Sequence, residues 1–168
     1  FDLRSRPIVI TAVGLSSAPA DQWTSRDEAL QAAYPGQVLI RALSEGVPLV
    51  LWFVGKDRFT GSCSNIYDWQ TFGLVRSKAV ADAAATCVPS PLGGYSAPVD
   101  NQPKAAHSAF RTAQAQLAGL AFDALVPLTQ TGSPETEAYR FRNPSSGAYR
   151  IAAFTDSGAP PRKPSRDT

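Results

Sequence analysis

Residues 47–54 read Val-Pro-Leu-Val-Leu-Trp-Phe-Val, the densest apolar run in the chain, with Gly46 and Gly55 on either side. Eight residues is strand length rather than helix length, and the Val and aromatic content favours a strand. An apolar run without alternation predicts cover on both faces. Cys63 and Cys87 follow, 24 positions apart. Strand 47–54 is therefore read as the core, and a Cys63–Cys87 disulfide as its staple.

Other elements are placed by local pattern. Residues 8–13 are β-branched at all but Ala12 and predict a short strand ended by Gly14. Ser25-Arg26-Asp27-Glu28 fits a capping box that opens a helix. Tyr34-Pro35-Gly36 should stop it, and a second helix is expected over 37–45. Residues 58–63 are a candidate hairpin partner for strand 47–54. The alanine-rich segment 76–87 predicts another helix, with Cys87 at its buried end. Residues 88–103 carry five prolines or Gly pairs and form a long loop, a type often functional. Ala106, Phe110, Ala113 and Leu117 recur at helical spacing over 104–119. Residues 120–128 alternate as a strand. Tyr139 and Phe141 then alternate with Arg140 and Arg142, Asn143-Pro144-Ser145-Ser146-Gly147 turns the chain, and 148–154 returns. These elements predict an α+β fold: a mostly antiparallel sheet with three or four helices on one side. One domain is expected over 1–154, with a disordered tail over 155–168.

Hydrophobic residues make up 43% of the 168, enough for a core without a metal, while charged residues make up only 18%. The latter is below the usual level of about 25%. Low charge, two cysteines and a chain that holds no methionine and starts at Phe1 lead to the expectation of a cleaved secretory leader and an extracellular or periplasmic setting. No apolar run is long enough for a membrane span. The net charge of +2 argues against nucleic acid. From Ala138 onward, however, six basic residues face only Asp156 and Asp167, a basic end suited to an acidic partner.

Candidate chemistry is sparse. Cys63 beside small residues, with the single histidine His107, could form a thiolate–imidazole pair of a peptidase or amidase. One His and two Cys do not make a structural zinc site, and no phosphate-cradling Gly motif is present, so no metal or cofactor is expected. Tyr67, Trp69 and Phe72 lie among Asn65, Asp68 and Gln70, a grouping that can hold a sugar or peptide or simply rim a core.

Residues 137–147, Glu-Ala-Tyr-Arg-Phe-Arg-Asn-Pro-Ser-Ser-Gly, resemble a repeat of secreted bacterial proteins with a Tyr-Arg-Phe-Tyr-Asn-Pro-x-Thr-Gly core. Arg142 stands where that repeat has Tyr, and Ser146 where it has Thr. The resemblance implies a secreted, surface-binding module without known catalytic residues. The expectation is a non-catalytic binding or assembly component with a protein partner. Its contacts would be loop 88–103 and the basic residues Arg140, Arg142 and Arg150.

Overall fold

A computed structural model of the chain describes residues 7–17, 28–58, 71–79, 82, 100–127 and 135–155. Among them are two helices described over their whole length and five strands in two small sheets. The order is β1 (Val9–Val13), α1 (Glu28–Ser44), β2 (Leu49–Trp52), α2 (Ala105–Leu117), β3 (Ala121–Leu125), β4 (Thr136–Arg142) and β5 (Tyr149–Thr155). β1 and β2 pair in parallel, and β3-β4-β5 form an antiparallel sheet in that order.

This corrects the expected mostly antiparallel sheet with three or four helices. The first reason is Pro35. The proline lacks an N–H and leaves the Gln31 carbonyl without its helical bond, at a cost of about 3 kcal/mol. Yet α1 runs through Pro35-Gly36 as one 17-residue helix, with Pro35 buried. Packing of α1 on α2, the most extensive contact between elements, outweighs the local penalty. Two expected helices are thus one. The capping residue Ser25 lies outside the described residues, as do residues 59–63 of the expected hairpin partner. Of the expected helix 76–87, Lys78, Ala79 and Asp82 are helical, and 80–81 and 83–87 lie outside.

The second reason is the pairing of the apolar run. Only Leu49–Trp52 is strand, and it is joined to β1 through α1 as a parallel β-α-β unit, Val9 opposite Leu49 and Ile10 opposite Val50. Its faces differ: Val50 and Trp52 are half-buried while Leu49 and Leu51 are each 46% exposed. The expectation of cover on both faces is overturned. Trp52 anchors the inner face. Its ring meets Tyr34 of α1 and Phe110 of α2 edge-on, both at 6.1 Å, and its Nε1–H donates to the Phe72 carbonyl at 2.9 Å.

The hairpin is present. Its turn has Gly147 at φ 74, a left-handed position that glycine takes without a Cβ penalty. Phe141 is wholly buried against Phe122 of β3, ring centroids 6.0 Å apart. Arg41, in the last turn of α1, ties this sheet to the helix layer. Its Nη2–H and Nε–H donate to Glu137 Oε1 at 2.6 Å and Oε2 at 2.9 Å, and its guanidinium lies 4.9 Å from the Phe154 ring centre.

Cys63 and Cys87, and with them the expected disulfide, lie outside the described residues. Residues 88–99 of the long loop and the tail 156–168 also lie outside. No helix among the described residues is long and apolar enough to cross a membrane.

Candidate functional site

Two places concentrate polar chemistry. The first is a buried centre beyond the C-terminal ends of β1 and β2, where open α/β sheets usually place ligands. β1 runs through Gly14 into Ser16 and Ser17, and β2 leads to Asp57. Lys104, just ahead of α2, reaches in from the side. Its Nζ donates to Asp57 Oδ1 at 2.7 Å, Ser17 Oγ at 2.9 Å and the Thr71 carbonyl at 3.1 Å. Neither side chain of the Lys104–Asp57 pair has solvent access. Burial pushes the Lys104 ammonium below its ordinary value, and the Asp57 carboxylate opposes that shift. Gly73 N–H donates to the same Asp57 oxygen at 2.9 Å. Gln31 spans the floor, its Nε2–H groups reaching the Leu15, Thr71 and Gly73 carbonyls, while its Oε1 has no hydrogen-bond partner.

A lysine beside a serine hydroxyl is a geometry that nucleophilic catalysis uses. Here the ammonium is engaged by Asp57, and the other polar groups in the centre, Gln31 Oε1 excepted, are turned to another segment of the chain. The arrangement binds the loops after β1 and β2, the 71–73 segment and the start of α2 into one unit. Sequence reasoning missed it, although one signal was available. A lysine at the N-terminus of a helix without an acidic residue in the first turn opposes the helix dipole. Such a residue needs a partner elsewhere.

The second place is the outer face of β3-β4-β5. The register sets Arg140 opposite Ile151 and Arg142 opposite Tyr149. Tyr149 is 56% exposed and Ile151 66%. The Arg140 guanidinium lies 5.2 Å from the Tyr149 ring centre and that of Arg142 6.0 Å. Arg140 also pairs with Asp123 of β3. Arg142 has no acidic partner among the described residues. Beside it is a shallow hollow of about 340 Å³ lined by Ala121, Phe122, Asp123, Arg142 and Pro144.

Of the residues singled out in the sequence, Arg140 and Arg142 come together on this face. Arg150 does not. It is the partner of Phe141 on the opposite face, where its Nη1–H donates to the Gln116 carbonyl at 2.6 Å and to Gln116 Oε1 at 3.0 Å. Phe72 is a packing residue, edge-on to Phe53 at 6.2 Å, with its carbonyl held by Trp52. Tyr67, Trp69, Cys63 and Cys87 lie outside the described residues. His107 is half-buried in the first turn of α2, its N–H on the Lys104 carbonyl. The described end of the long loop is tied down: Lys56 Nζ donates to Asn101 Oδ1 at 2.8 Å and pairs with Asp100 at 2.9 Å. The Lys78 backbone N–H and Lys56 hold the Asp100 carboxyl below its ordinary value. Among the described residues there is no cluster of His, Cys, Asp and Glu that could hold a metal.

No family model matches the chain, and neither the curated proteins nor the solved structures contain a detectable relative.

Proposed function

We propose that the chain is a non-catalytic binding or assembly component that meets an acidic protein partner through the outer face of β3-β4-β5. The observation that carries this reading is the exposed Tyr149 ring with two guanidinium groups drawn onto it. Tyrosine and arginine are among the residues enriched at interface hot spots. The ring supplies apolar area at low entropy cost, and the arginines supply charge that favours carboxylates. The excess of basic over acidic residues after Ala138 adds to the same sign of potential. The resemblance of this hairpin to a secreted repeat supports a setting outside the cytoplasm. Finding the native protein in the cytosolic fraction of its cells would remove that part.

The test uses poly-L-glutamate as an acidic probe and poly-L-lysine as its opposite, titrated against the protein at low and at physiological salt. Poly-L-glutamate should bind, and its affinity should fall as salt rises. Arg142→Glu and Tyr149→Ser should each weaken it by about tenfold or more. Equal binding of both polymers, or unchanged affinity in both variants, would sink the proposal.

A further inference from the structure

We infer that the partner docks as an extended acidic strand added to the edge of β5 that no described strand covers, an inference that rests on the acidic-partner reading above. Asn143 N–H donates to the Ala148 carbonyl at 2.8 Å, and this fixes the phase of the β4–β5 ladder. Bonded pairs alternate in an antiparallel ladder. With the observed register, the pairs bonded to each other are Phe141–Arg150, Tyr139–Ala152 and Glu137–Phe154. The backbone N–H and C=O groups of Tyr149, Ile151, Ala153 and Thr155 therefore point away from β4. Among the described residues no strand lies on that side of β5.

Natural edges are usually guarded by lysine, proline, a bulge, shortness, an inward-pointing charge or a covering element. Among the described residues β5 has only the inward-pointing charge, Arg150, and Gln116 engages it. The strand is seven residues long, and its register with β4 is unbroken. Its outer face instead shows Tyr149, Ile151, Ala153 and Thr155, all exposed. The positions of the two arginines select the occupant. Both originate on β4 and both guanidinium groups face the Tyr149 ring, but Arg140 is held by Asp123 of β3, so Arg142, which has no acidic partner among the described residues, is the charge left for an occupant. A strand added beside β5 would run about 4.8 Å farther out. Its outward side chains would then lie nearest Arg142, and a Glu opposite Tyr149 is the matching residue. On the inner face, beside Ala152 and Phe154, an apolar side chain fits. Backbone bonds would supply affinity, and alternate side chains specificity, the logic of strand addition.

The probe is the peptide acetyl-Glu-Val-Glu-Val-Glu-Val-Glu-amide, titrated calorimetrically, with the lysine-for-glutamate peptide as control. Ala153→Pro removes one outward N–H without touching the β4–β5 bonds, a placement that edge strands tolerate. It should weaken binding about tenfold, the loss of one or two backbone hydrogen bonds. The same peptide methylated at every backbone amide keeps its carboxylates and should lose binding altogether. If the methylated peptide binds as well as its parent, and Ala153→Pro melts like the parent protein yet binds normally, strand addition is wrong. Should Arg142→Glu still abolish binding in that case, the acidic-partner reading survives without it. If neither peptide nor poly-L-glutamate binds, both fall together.

Discussion

Lys104→Met removes the charge paired with Asp57 inside the buried centre while nearly keeping the side-chain volume. The lysine is lost as donor to Asp57, Ser17 and Thr71. The Asp57 carboxylate stays behind without solvent access and without its counter-ion. Breaking a buried pair from one side costs about 3–5 kcal/mol. At a urea slope near 2 kcal/mol per molar, the midpoint should fall by about 2 M with the slope unchanged. The sharper expectation concerns a second substitution. Asp57→Asn placed on Lys104→Met removes the stranded charge and keeps an acceptor for Gly73 N–H. The double variant should be more stable than Lys104→Met alone by about 2 kcal/mol. A loss below about 1 kcal/mol for Lys104→Met would refute the reasoning. So would a second substitution that destabilises further, because either result would mean that water reaches the pair.

Two more outcomes follow from local geometry. A Cβ at Gly73 would stand 2.2 Å from the Asp57 nitrogen and 2.4 Å from the Lys56 carbonyl carbon, both backbone atoms. Gly73→Ala should therefore lower the thermal midpoint by several degrees or more, about 2–3 kcal/mol of overpacking. Tyr139 is pushed up to about 12 by burial first and then by its hydrogen bond to Glu137. An unfolded tyrosine ionises near 10, so the folded state holds the extra proton between those values. Stability should drop as pH rises from about 10 to 12, and less so in Tyr139→Phe. Denaturant melts across that window would show it, and identical slopes for both proteins would count against it.

Legibility in the sequence followed locality. The hairpin could be read because alternation, the Asn143-Pro144 turn and Gly147 all lie within twenty residues of one another. The helix now called α2 could be read from Ala106, Phe110, Ala113 and Leu117, with Gly119 as its stop at φ 70. Pro35-Gly36 misled, because a local penalty said nothing about the layer of α2 packed against it. The parallel pairing of β1 and β2 was hidden for the same reason: neither strand marks its neighbour. At the acidic-partner face, Arg140 and Arg142 were visible as charges, but their convergence on Tyr149 was not. That depended on cross-strand register, as did the turning of Arg150 to the other face. The buried centre was least visible. Ser17, Asp57, Thr71 and Lys104 are each ordinary surface residues in their own surroundings, and only their meeting makes them otherwise.

That meeting also sets an order of events in time. Lys104 is 47 positions from Asp57 and 87 from Ser17. Contacts of such separation close late, since the intervening chain loses its freedom before they form. On the ribosome, Asp57 emerges well before the lysine that neutralises it. The β-α-β segment must wait with an open carboxylate at its edge until α2 is made. The β4–β5 hairpin, by contrast, closes on itself as soon as it appears. The N-terminal half of the molecule is thus finished by its C-terminal half, and a chain released before residue 104 would leave its first sheet without a lock.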